Sequence, residues 1–99
     1  MIDALTPTSA MLSTLSQVQR LLILHVPTSD ASMAADALVK KSVSDMEQGH
    51  RDPGTLTDAA MALGRVEALA EQHLPQRHPL FDALRNAEMT MWEMLRTAA

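Results

Sequence analysis

The chain has 99 residues, a formal net charge of −4, 46% apolar and 2% aromatic residues, and no cysteine. The length fits one domain, the acidic balance gives no general attraction to nucleic acid or an anionic membrane, and the missing cysteine excludes disulfides and thiolate chemistry. The most apolar run, LLILHV at 21–26, falls well short of the roughly 18 apolar residues needed to cross a bilayer, and Asp3 stands where a secretory signal would be basic.

The composition selects helices. Phe81 and Trp92 are the only aromatic residues, so a core must come from Leu, Val, Ala and Met. Unbranched and γ-branched side chains lose little rotamer freedom in a helix, and the β-branched and aromatic runs that mark strands are almost absent. Pro7, Pro27, the stretch GHRDPG (49–54) and the stretch PQRHP (75–79) divide the chain into four pieces of helical length.

The first piece predicts a helix from about Thr8 to His25, with Thr6 as N-cap and Pro7 at the first helical position, where its missing N–H costs nothing. Met11, Leu15, Val18, Leu22 and Val26 form its apolar stripe, and Pro27 ends it. The second runs from about Ser29 to Gln48, capped by Thr28 or Ser29, with Gly49 just past its end. Its stripe is Ala31, Ala35, Leu38, Val39 and Met46, interrupted by Ser42, so it needs tertiary packing to form. The third runs from about Thr55 to His73, with Thr55 as cap and Asp58 completing a variant capping box. Leu56, Ala59, Leu63, Val66, Ala70 and Leu74 line one side, and the small residues Ala60, Gly64 and Ala68 form an adjoining row expected to seat a neighbouring helix. The fourth runs from about Pro79 to Arg96, with Leu80, Leu84, Ala87, Met91 and Leu95 as its stripe and Met94 beside it. Short connections favour antiparallel neighbours, so the expected fold is all-α: one small antiparallel bundle of about four helices in up-down order.

Chemistry is harder to find. His25, His50, His73 and His78 have no metal-ligand spacing, and no HExxH motif or i, i+4 histidine pair occurs. No serine lies in a G-x-S-x-G elbow, and no glycine-rich phosphate loop is present. The expectation is a chain that is not an enzyme and takes no metal or cofactor. The segment LTDAAMALGRVEALAEQHL (56–74) resembles a helix-turn-helix, with Ala60, Leu63 and then Gly64 where the turn would fall. Arg65 stands where that motif carries a buried apolar residue, and Glu67 and Glu71 would face phosphates with the wrong sign. A small DNA-binding regulator is therefore the alternative reading, and nucleic acid is not the expected partner.

Protein contact is the main expectation. From Ala4 to Ser29 the only charged residue is Arg20; Thr8, Ser9, Ser13, Thr14, Ser16, Gln17 and Gln19 make up the rest of the polar face. Charge depletion marks interface centres; a helix wetted by hydroxyls, or a Ser/Thr-rich export signal, would account for the same composition. Leu21, Ile23 and Leu24 cannot all share the face that holds Val18 and Leu22, which places them at a homodimer interface. In the last helix, Phe81, Arg85, Met89, Trp92 and Arg96 lie along one flank, a combination that interfaces favour and a candidate surface for another protein. The chain thus reads as a cytoplasmic interaction module, an adaptor, small chaperone, inhibitor or regulatory subunit, with no membrane partner.

Overall fold

In the computed structural model, which describes residues 7–50 and 52–98, the chain forms four helices and no strand among the described residues. They are α1 (Pro7–His25), α2 (Asp30–Glu47), α3 (Pro53–His73) and α4 (Pro79–Ala98). α1 packs most extensively on α4 and α2 on α3, while α1–α2 and α3–α4 close the remaining seams. The connections are a few residues each, so chain neighbours run antiparallel and the four helices close into a bundle.

Each helix starts and stops for local reasons. Pro7 opens α1; Thr6, expected as its cap, lies outside the described residues. α2 begins with a reciprocal capping box: the Ser29 hydroxyl accepts from the Ser32 amide at 3.1 Å, and the Ser32 hydroxyl accepts from the Ser29 amide at 2.8 Å. It ends in a Schellman motif, where Gly49 takes φ 94°, its amide reaches the Met46 carbonyl and the His50 amide reaches that of Asp45, both at 3.0 Å. The expected cap of α3 is corrected. Asp52, not Thr55, caps it, with Pro53 at the first position. The Asp52 carboxylate accepts from the Thr55 amide at 3.2 Å and the Thr55 hydroxyl at 2.8 Å, and these bonds hold it below its ordinary carboxyl value. A carboxylate beside the positive end of the helix dipole is a stronger acceptor than a hydroxyl, and it leaves Thr55 free to turn inward, where it is buried. At α4 the His78 ring takes the cap role, its Nδ1 accepting from the Leu80 amide at 3.1 Å.

The core is aliphatic. Met11, Leu15, Val18, Leu22 and Val26 of the first stripe are all buried, as are Leu56, Ala59, Leu63, Val66 and Ala70 of the third. Leu74 packs only partly against this core, and Ala62, Leu69 and Ala83, outside the expected stripes, join it. On α2 the buried positions are Ser32, Ala35, Val39, Ser42 and Met46. Ala31 is exposed and Leu38 only half-buried, because the capping box fixes Ser32 on the inward side and rotates Ala31 outward. Ser42 does not interrupt the face; it is 1% exposed and sits within it. On α4, Met94 is buried and Leu95 only partly so, the reverse of the expected weighting.

The expected helix seat along Ala60, Gly64 and Ala68 is not filled by another helix among the described residues. Ala60 is partly buried, Gly64 and Ala68 are exposed, and a Cβ placed on Gly64 meets nothing within 4 Å. An i, i+4 row drifts about 40° per step around the helix, so it rotates from the core edge into solvent. Polar links pin the seams instead. Gln19 donates to Asp36 at 3.0 Å between α1 and α2, and Lys41 approaches Asp58 at 3.7 Å between α2 and α3.

Candidate interaction surfaces

The last turns of α1 are apolar on every side, but a bundle helix buries one face. Val18, Leu22 and Val26 fill that face, and Leu21 is drawn partly in against the core. Ile23 and Leu24 remain outside, 59% and 66% exposed. They point about 100° apart. Ile23 turns toward α2, where Met33, 61% exposed, joins it in lining a cleft of about 90 Å³ floored by Leu22 and Val26. Of the three residues expected at a dimer contact, two are therefore exposed and one is partly buried against the core.

The flank of α4 divides differently. Phe81 is partly buried against the core, whereas Met89 and Trp92 are 60% and 62% exposed. Arg85 and Arg96 stand exposed beside them. Arg85 makes only a loose contact with Asp82, 4.0 Å apart with both side chains in solvent. Glu93 and Arg96 have no ion partner among the described residues. At the edge of this flank, burial pushes the Glu88 carboxyl above its ordinary value; Glu67 across the α3 seam pushes it further and Arg85 opposes.

Met33 and Met61, the latter 55% exposed on α3, are exposed apolar residues that sequence reasoning passes over. The available signal is a methionine off the apolar stripe of its own helix.

The histidines are not all scattered. His25, at the end of α1, and His78, before α4, meet edge to face with ring centroids 4.5 Å apart. The pair suits a cap better than a metal. His78 Nδ1 uses its lone pair on the Leu80 amide, so a neutral His78 carries its proton on Nε2 and offers no free lone pair. Among the described residues no group of three or more His, Asp or Glu side chains could hold a metal ion.

Shallow concavities lie between α1 and α2 and between α2 and α3. One of about 240 Å³ runs between α2 and α3 past Ala31, Ala34, Arg65, Ala68, Leu69 and Gln72. It is smaller than the roughly 300–1,000 Å³ of clefts that enclose small ligands. α3 passes through Gly64 without a break, so 56–73 is one helix and the turn of a helix-turn-helix is missing. Arg65, Glu67 and Glu71 lie exposed on that continuous helix. Among the described residues no helix is long and apolar enough to cross a membrane. No known protein family, curated protein or solved structure matches the chain.

Proposed function

We propose that this chain is a small cytoplasmic interaction module that works by protein–protein contact and not by catalysis. The observation that carries the reading is the exposure of Met89 and Trp92 between Arg85 and Arg96 on a helix whose opposite face is buried. Tryptophan, methionine and arginine supply much of the binding energy at interfaces, and a solvent-facing tryptophan has little role in the stability of its own bundle. Ile23 and Met33 line a second apolar surface at the α1–α2 end, with Leu24 exposed on the adjoining side of α1, and both sides are suited to another protein.

The test is capture from a nuclease-treated extract of the native cell with the tagged chain, identified by mass spectrometry. A protein retained by the wild type is expected to be lost with Trp92→Glu or Leu24→Glu, both of which should keep full helicity. Retention that depends on nucleic acid, or that neither substitution disturbs, would remove the support for this reading.

A further inference from the structure

The charges on the outer face of α4 are arranged about Met89. Asp82 lies seven residues before it and Arg96 seven after; Arg85 lies four before and Glu93 four after. At about 100° per residue, all five residues fall within roughly 80° of arc, with Met89 at the centre. Reversing the helix about Met89 therefore exchanges Asp82 with Arg96 and Arg85 with Glu93. Every charge meets its opposite.

The helix dipole explains only part of this. It favours Asp82 in the first turn and Arg96 in the last. It does not favour a basic residue at 85, nearer the N-terminus, or an acidic one at 93, nearer the C-terminus. No strong intrachain pairing explains them either, since the Asp82–Arg85 contact is loose and Glu93 and Arg96 have no ion partner among the described residues. Glu88 stands outside the pattern, turned toward Glu67 at the α3 seam.

We infer that the outer face of α4 binds a second copy of this chain, α4 against α4 in antiparallel register, with the twofold axis at Met89. This rests on the interaction-module reading and names the partner for one of its surfaces. Met89 packs on Met89 of the second copy. Asp82 of each copy faces Arg96 of the other, at the same height along the paired helices. Arg85 reaches both Glu93 and Trp92 of the other copy, so its guanidinium forms an ion pair and lies over the indole. An acidic peptide is the weaker candidate, because Asp82 and Glu93 share the same face and would repel it.

The decisive experiment uses two charge reversals, Asp82→Arg and Arg96→Glu, on the full chain. Both positions are exposed, so circular dichroism should show unchanged helicity. Sedimentation equilibrium over a micromolar concentration series is expected to show a wild-type dimer that weakens with added salt. Dimerisation also moves the emission of Trp92, the only tryptophan, to the blue. Each variant alone replaces two opposite-charge contacts with two like-charge contacts, and should dimerise about tenfold more weakly or worse. Mixing the two variants restores both contacts. At one, the arginine introduced at position 82 meets the glutamate introduced at position 96; at the other, the retained Asp82 meets the retained Arg96. The mixture should then sediment as a heterodimer near wild-type strength. That recovery is particular to the antiparallel register.

A wild type that stays monomeric throughout overturns the inference, and so does a mixture no more associated than either variant alone. A dimer indifferent to both reversals but broken by Leu24→Glu would place the twofold axis at the end of α1 and overturn it as well. An acidic partner would bind Asp82→Arg more tightly than wild type and Arg96→Glu less, with no recovery on mixing, which also overturns it. In each of these cases the module reading still stands or falls on the capture experiment.

Discussion

Gly64→Ala separates two views of α3. If the small-residue row seats a helix, a methyl group at its centre collides with a backbone and the bundle loses stability. The structure leaves that position open, with nothing within 4 Å of an added Cβ. The glycine lies in the middle of α3, exposed, with no positive φ to justify it. Alanine there gains the full helix-propensity difference, about 0.8–1.0 kcal/mol, through the smaller entropy of the unfolded chain. For a domain of this size that raises the melting temperature by about 4–8 °C. Thermal unfolding followed by circular dichroism measures it directly, at low and high protein concentration. A variant that melts lower than the parent at every concentration would mean that some part of the chain presses on Gly64, and would refute the open position. Destabilisation confined to high concentration would instead mean that another molecule covers the row.

Substitutions at three other positions test the fold and its electrostatics. Leu63→Asp places a charge at a site 1% exposed in the middle of the core; a loss of about 4 kcal/mol or more is expected in denaturant unfolding, since cavity and desolvation costs add. His78→Ala removes the acceptor for the Leu80 amide and should cost about 1 kcal/mol, while His78→Asn, which keeps a side-chain acceptor, should recover most of it. Glu88→Gln should stabilise the chain at neutral pH. The folded protein holds the Glu88 carboxyl above its ordinary value, so its ionisation opposes folding. The wild type is then relatively most stable below the ordinary carboxyl range and loses ground as pH rises through the raised value. The advantage of Glu88→Gln should accordingly vanish in acid and grow toward neutrality, as read from melting curves over a pH series.

How far the sequence reveals the fold depends on how strongly each helix is patterned. α1 has one narrow run of large apolar residues at i, i+3 and i+4, and all five positions are buried. α2 is poorer. Reading back from Ala35, both Ala31 and Ser32 fit a helical stripe, and hydropathy favours alanine. The decision belongs to the capping box, whose geometry turns Ser32 inward. Ser42 defeats hydropathy for a related reason. Its neighbours on the same face, Val39 and Met46, fix the rotation of the helix, and a side chain as small as serine is carried into the core with them. Ser42 borders a shallow concavity also lined by Leu38, Lys41, Asp58 and Met61. The start of α3 is misread from the sequence because Thr55 is itself a good cap type, and only the hydrogen bonds show that Asp52 is the acceptor.

The surfaces are less legible than the core, and the reason is physical. A core residue answers to one period, that of its own helix. A surface residue is informative only when the rotation of the helix is known well enough to say that it is outside. Trp92 illustrates the step. From sequence, it fits either an edge residue covering the bundle or an exposed anchor; Phe81, on the same flank, does pack against the core while Trp92 does not. Once Met91 and Met94 are buried, Trp92 between them must turn out, because the two methionines already occupy the inward arc. Met89 is then left at the crest of the helix, and the signs of Asp82, Arg85, Glu93 and Arg96 acquire a centre of reversal that has no meaning in the linear sequence. The same step explains why α1 gives a weaker case. Ile23 and Leu24 are as exposed as Met89, but they point about 100° apart, and Arg20, one turn before them, is the only formally charged residue of α1, so no reversible set of charges fixes a register there. Apolar exposure marks a surface as sticky; only the ordered charges around it say which way a partner must lie.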